Sequence, residues 1–411
     1  MDRLFGPDVA VSRRDALAAG AGATAGLLPG CAGVPGLSVE VKQFDESDPL
    51  VTYDRIGRGS TELSYWTSRF YMPAESGNNQ PALSPLTGPF YRTLKQQSAQ
   101  PAATPALRAQ HEEWARDHPD YRIKLSYPDP DGWKQRLSRQ PSDGSTVDNP
   151  WVPDLYDQLQ PLNEYVSDVG DFFPFVRDTA VSDGSLLAAW KYTDCRCLYY
   201  RQDLIDAYAG GDPPRTWDEL VAVGSEIADA EGIDGFQFRP AMSTTIPFFW
   251  GQGGQLIDQD GDVVLSASEN RQAMRRTLSF LRRLVEEGAS PERTIDITEY
   301  ETLARNARED EVAMFVGGSW QIEKDFKNRS EGDRWRRWKV AEIPMRKPDQ
   351  YSTAVGGFAE GAFREGDSGG AAALKEFVAK FVEPASMGRY CEAAGLLPTR
   401  RSVFNDDDLY S

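Results

Sequence analysis

Two histidines and four cysteines are all the imidazole and thiol chemistry this 411-residue chain holds. His111 and His118 stand seven apart on a segment of helical spacing, where they read as helix-face residues rather than a metal pair. Cys195 and Cys197 form a lone Cys-x-Cys whose thiols would share one face of a strand, too few ligands for a structural zinc. A bridge to Cys391 stays open, but these cysteines do not make a disulfide framework. No Gly-x-Ser-x-Gly, His-Glu-x-x-His or phosphate-binding loop occurs. The Asp-Gly clusters at 129–133 and 258–262 lack the spacing and closing Glu of a calcium loop, and read as turns. With 63 acidic residues, a pair of carboxylates of the kind a glycosidase uses carries no information. The expectation is no catalytic residue, no metal and no cofactor.

Charge narrows the partners. A net charge of −18 argues against nucleic acid, which needs a basic face. Arginine far outnumbers lysine, and an acidic, lysine-poor chain reads as a protein of a high-salt organism. At about 1 M salt the Debye length falls to roughly 3 Å, which screens self-repulsion. Hydrophobic residues at 40 % and aromatics at 11 % supply real cores, and the length suits about two or three domains.

The first 31 residues read as an address. Arg13 and Arg14 precede a thin Ala/Gly-rich apolar run that stops at "LPGC", ending in Cys31. That run is too short and weakly apolar for a bilayer span. Twin arginines, a soft apolar core and a small-residue cleavage region are the parts of a Tat-type export signal. "LPGC" resembles a lipobox, which makes Cys31 the lipidated first residue of the mature chain. Residues 32–60 then read as a tether.

The elements beyond it alternate between strand and helix patterns. "TELSYW" at 61–66 alternates like a half-buried strand, and residues 67–105 read as loop. A helix carrying Leu107, His111 and Trp114 follows, then the strand "YRIKLSY". "TWDEL" from Thr216 and "SASE" from Ser266 have the form of capping boxes, each opening a helix with apolar residues at helical spacing. "EVAMFVGGSW" reads as a strand, a glycine pair and a helix start near Ser319, and "AVGGFAEGAF" as a glycine-broken strand. Tyr199 and Tyr200 read as sheet residues and Trp217 as helix packing. Such alternation means α/β with mostly parallel sheets.

Five of these motifs in one order carry a resemblance. "LYYRQDLIDAYAGGDPPRTWDEL", "FFWGQGGQLIDQDGDVVL", "EVAMFVGGSW", "GGFAEGAF" and "AAGLLPTRRSVF" together resemble family 1 extracellular solute-binding proteins, the substrate-binding subunits of sugar ABC importers. "TDCRCLYYRQDL" leans towards the maltose/trehalose-binding branch, here of haloarchaeal type. The resemblance spans about residues 61–404. It implies a two-lobed, periplasmic-binding-protein-like (type II) fold with an interlobe ligand cleft. Residues 61–196 and 353–385 would form lobe 1, and residues 197–352 and 386–411 lobe 2. Ligands would sit outside the carboxyl ends of the strands, and closure of the lobes would signal loading.

Sugar binding needs flat rings for stacking and polar groups for hydroxyls. The resemblance points to Trp66 at the end of the first strand and to Asp154. It also points to Tyr192 and Asp194 near the lobe crossing, and to Trp250 and Trp320 in the second lobe. Backbone N–H groups beside Trp320 would meet a hydroxyl, and Gly356, Gly357 and Phe358 would let a strand approach the ligand. The implied protein is a monomer on the extracellular face of the cytoplasmic membrane, anchored by lipid after Tat export. It would catalyse nothing, and would deliver a sugar or oligosaccharide to ABC permease subunits served by a cytoplasmic ATPase. Two alternatives stay open, the same scaffold for a non-sugar solute and a secreted carbohydrate-active lipoprotein enzyme.

Overall fold

The computed structural model describes residues 50–52, 54–67, 104–128, 132–139, 141–258, 261–327, 330, 332–363 and 369–410. Arg13, Arg14, Cys31 and most of the 67–105 loop lie outside the described residues. Among the described residues no helix is long and apolar enough to cross a membrane.

The chain enters through β1 (Arg55–Ile56) and β2 (Thr61–Trp66). Helix α1 (Thr104–Asp117) leads to β3 (Tyr121–Ser126), and α2 (Trp133–Arg139) to β4 (Gly144–Asp148). After α3 (Pro174–Ala180), a small hairpin of β5 (Val181–Ser182) and β6 (Ser185–Leu186) precedes β7 (Ala189–Trp190) and the long β8 (Asp194–Arg201). Then come α4 (Gln202–Tyr208), α5 (Trp217–Glu231), β9 (Asp234–Gln237), α6 (Met242–Trp250), α7 (Ser268–Glu286), α8 (Tyr300–Arg308) and β10 (Val312–Gly318). The chain closes with β11 (Trp338–Ala341), β12 (Val355–Gly356), β13 (Phe358–Ala362), α9 (Gly369–Lys380), α10 (Pro384–Ala394) and α11 (Arg401–Phe404).

Two sheets define two lobes. The first runs β1-β3-β2-β4-β13-β7, and the second β11-β8-β10-β9 with β12 also on β8. Among the described strands, parallel pairing is confined to β2 with β3 and β4, and to β9 with β10. The sheets are therefore mixed, which corrects the expectation of mostly parallel ones. Crossover helices keep their flanking strands parallel. By contrast β8 and β13 bring the chain across from the other lobe, so each starts at the edge where the parallel strands end and runs antiparallel to its neighbours.

The first core draws on residues 51–192 and 359–403, whereas the cores of the second lobe use residues between 198 and 354. Two domain expectations change. Val51 and Ile56 are buried in the first core and β1 pairs with β3, so residues 50–60, expected as part of a tether, belong to the fold. The expectation also puts residues 386–411 in the second lobe. Met387, Tyr390, Cys391, Leu396 and Val403 instead fill the first core, where α10 and α11 offer their apolar faces.

Local chemistry explains several helix ends. Thr216 forms its capping box: its hydroxyl accepts from the Glu219 N–H, and the Glu219 carboxylate accepts from the Thr216 N–H at 3.1 Å. The box expected at Ser266 does not form, because α7 starts one residue later with Ala267 as its cap and no side-chain bond. His111 lies on α1 and His118 just beyond it. Tyr199, Tyr200 and Trp217 are buried as sheet and helix packing. Cys195, Cys197 and Cys391 are free thiols.

The first core also encloses a charge pair. Lys191 and Glu360 are ion-paired with both side chains 1 % exposed. The hydroxyls of Tyr65 and Thr146 donate to the other Glu360 oxygen, the latter at 2.8 Å. Lys191 lies just before β8, the strand that leaves this lobe, and Glu360 within β13, the one that returns.

Candidate functional site

The two connecting strands lie side by side. Cys195 pairs with Val355 and Asp194 with Gly356 in antiparallel register. The Thr193 hydroxyl donates to the Gly356 carbonyl at 2.9 Å, and that of Thr353 to the Arg196 carbonyl at 2.7 Å. Gly357 then turns the chain at φ +134°, where a Cβ would lie 2.2 Å from the Tyr192 carbonyl oxygen. Only glycine fits that junction. Its carbonyl accepts the Asn149 N–H at 3.2 Å, tying the end of β4 to the crossing.

On either side of the crossing the sheets present their carboxyl ends. In the first sheet, Trp66 closes β2 and Asp148 closes β4, with Phe358 opposite Asp148. In the second, β10 ends at Gly318 beside Arg196, so Trp320 stands two residues past that end. This is the edge where α/β sheets place ligands.

The polar groups here converge. Asp194 and Arg196 form an ion pair, each side chain about a tenth exposed. Burial pushes the Asp194 carboxyl up, against the pull of Arg196 and the Gly356 N–H. The Asp148 carboxyl is pushed up to about 6, first by burial and then by the charge of Asp194, while the Asn149 N–H and Arg196 draw it back. Arg196 Nε donates to the Tyr300 hydroxyl at 3.0 Å, and that hydroxyl lies 2.9 Å from Ser243 Oγ. The Arg196 guanidinium sits 4.7 Å over the Trp320 ring, and Trp320 meets Tyr300 edge-on at 5.0 Å. Trp320 also packs against the first core, so this half-buried ring touches both lobes.

Of the expected ligand residues, the structure gathers Asp194, Trp320, Gly356, Gly357 and Phe358 around the crossing. Tyr192 is there too, but buried, its ring 6.3 Å from Phe358 and 6.2 Å from Tyr390. Trp66 is half-buried at the same sheet edge. Asp154 lies in a short 3-10 turn, 58 % exposed and ion-paired with Lys134. Trp250 is 41 % exposed at the end of α6. The backbone donors expected beside Trp320 are already used: the Gly318 N–H donates to Gln321 Oε1 at 3.0 Å and the Ser319 N–H to the Cys195 carbonyl at 3.0 Å. The helix expected at Ser319 is a π-helical turn, Ile322–Lys327.

Sequence reasoning missed Asp148, Arg196, Ser243 and Tyr300. Asp148 carried a readable signal, a carboxylate ending the strand pattern "GSTVD" just before a proline turn. Arg196 and Tyr300 carried none, since they meet across 104 residues.

Aromatic faces, carboxylates and an arginine thus lie together where the two sheets present their carboxyl ends. Such a set can hold a polyhydroxylated solute, with rings against its apolar face and charged groups on its hydroxyls. Among the described residues no group of three or more His, Cys, Asp and Glu could hold a metal ion.

The family described as bacterial extracellular solute-binding protein matches residues 96–340. A curated relative, a probable ABC transporter-binding protein of Deinococcus radiodurans, is 30 % identical over 103 residues, which is 24 % of this chain and 24 % of the relative. The chain thus matches about a quarter of that relative's length. Among solved structures, maltose-bound MalE3 of T. maritima superposes with a TM-score of 0.65 at 20 % identity, over 85 % of this chain and 84 % of that one. The GacH receptor of Streptomyces glaucescens gives 0.62 at 19 % identity, over 86 % and 85 %. MalE of Xanthomonas citri gives 0.62 at 20 % identity, over 85 % and 82 %. These likenesses establish the two-lobed fold.

Proposed function

The chain belongs to the bacterial extracellular solute-binding protein family, and from that premise we propose that it is the substrate-binding subunit of an ABC importer for a sugar or oligosaccharide. The observation that carries this reading is Trp320, a half-buried ring held between Arg196 and Tyr300 at the junction of the lobes. The solute lies against this ring, its hydroxyls reach Asp148 and Asp194, and the lobes close on it by bending at the paired strands around Gly356. A structural neighbour solved with maltose and a relative named as a transporter-binding protein support the same class.

Micromolar affinity corresponds to about −8 kcal/mol. Hydrogen bonds contribute about 1 kcal/mol each net, so ring contact and water exclusion supply much of the remainder. The protein turns nothing over; closure passes the loaded state to the permease, whose ATPase drives import. Export by a Tat-type signal, an anchor at Cys31, a monomeric state and an origin in a high-salt, haloarchaeal setting belong to this proposal, and rest on the sequence.

A thermal-shift panel in molar salt tests it, with mono-, di- and oligosaccharides beside peptides and polyamines. A saccharide at 100 times its dissociation constant stabilises by about 2.7 kcal/mol. Stabilisation by a non-sugar solute alone overturns the sugar reading, and glycoside turnover in the same samples overturns the binding-only reading.

A further inference from the structure

Arg239 occupies in β9 the place that Trp320 occupies in β10. Each stands two residues past the carboxyl end of its strand, and the two strands are parallel neighbours. Its guanidinium carbon lies 4.9 Å over the Tyr300 ring, and Arg196 approaches the same ring at 5.7 Å. The two arginines differ in what they have left to offer. Arg196 spends Nη1 on Asp194 and Nε on Tyr300. Arg239 spends only Nε, on the Thr298 carbonyl. Its Nη1 and Nη2 have no acceptor and no carboxylate within ion-pair distance among the described residues. Acidic side chains outnumber basic ones 63 to 45 in this chain, so a half-buried arginine without a counter-ion is out of keeping with the rest of the molecule.

A guanidinium whose Nη pair is free, held over an aromatic ring, can meet the planar two-oxygen geometry of a carboxylate. Resting on the solute-binding reading above, we propose that Arg239 is a specificity-determining residue and that the solute is an acidic saccharide, a uronic acid or its oligomer, whose carboxylate takes the Nη1/Nη2 fork. Tyr300 then has two duties, as the shelf that orients Arg239 and as the link to Arg196 and Trp320. Bidentate contact in a half-buried site also keeps much of its strength in concentrated salt, where exposed charge pairing is screened.

Calorimetric titration of the full chain in molar salt tests this, using galacturonate and glucuronate oligomers against neutral oligosaccharides of the same length. The wild type binds an acidic saccharide at least about tenfold more tightly than its neutral match. Arg239→Gln abolishes that preference, and Arg239→Lys, a point charge without the fork, retains only part of it. Equal or tighter binding of the neutral saccharides by the wild type overturns the proposal and leaves the sugar-receptor reading standing, and this result needs no variant to fold. Undiminished preference in Arg239→Gln overturns the assignment to this residue. If neither class binds, the proposal falls together with the reading on which it rests.

Discussion

Gly356 and Asp194 face each other across the paired strands that join the lobes, and the space between them admits no side chain. A Cβ at Gly356 would stand 2.8 Å and 3.0 Å from the two Asp194 carboxylate oxygens. The missing side chain is what lets Asp194 stay against Arg196, and Arg196 in turn holds Tyr300 and underlies Trp320. Gly356→Ala therefore destabilises by about 1–3 kcal/mol, as overpacking does. It also weakens saccharide binding by about tenfold or more, because Asp194 must swing away from the cleft. Chemical denaturation and calorimetry on the same variant check both effects, and unchanged affinity would separate the crossing from the site.

The buried Lys191–Glu360 pair makes a second prediction. Removing one partner leaves the other charged in a dry core, at a cost of about 3–5 kcal/mol. Lys191→Met alone should therefore be severely destabilised. The double variant Lys191→Met/Glu360→Gln regains much of the loss, since the new amide oxygen would still accept from Tyr65 and Thr146 without a stranded charge. Urea midpoints of the wild type, both single variants and the double variant give the coupling directly.

Asp148 makes the molecule pH-sensitive in a definite direction. Its folded value near 6 lies above the ordinary 3.8 of an aspartate, so the folded state holds its proton more tightly than the unfolded chain does. The resulting stabilisation is full below about pH 3.8 and is lost as pH rises through about 6, a change of about 3 kcal/mol. Asp148→Asn removes that change. The difference in stability between wild type and variant should fall by most of this amount between about pH 4 and about pH 7, and a flat difference would contradict the burial of Asp148 at this sheet edge.

How much of this was legible follows from which contacts are local. The Thr216 cap and the helices with a clear apolar stripe need only neighbours along the chain, and they read correctly. Trp320, Asp194 and Gly356, which the structure brings to the crossing, each sit inside a short motif. Arg196 and Tyr300 were hidden because a side chain on one strand meets a helix start 104 residues away, a distance no local pattern encodes. Arg239 and Trp320 share an edge through the β9–β10 register, which likewise exists only in the folded sheet. The mixed sheets and the burial of α10 and α11 in the first lobe were missed because strand direction and lobe membership depend on where the chain crosses. Asp154 and Trp250 were chosen by residue type and resemblance, and the structure puts them in a short turn and at the end of α6.

The account stands on Trp320 as the ring that receives the solute, and calorimetric titration of wild type and Trp320→Ala against the saccharide panel in molar salt tests that most directly. The expected result is that a saccharide binds the wild type and that Trp320→Ala weakens it by about tenfold to a hundredfold, about 1.4–2.7 kcal/mol, while the unliganded variant still melts cooperatively. Equal affinity in the two proteins, or no saccharide bound by the wild type, would contradict it.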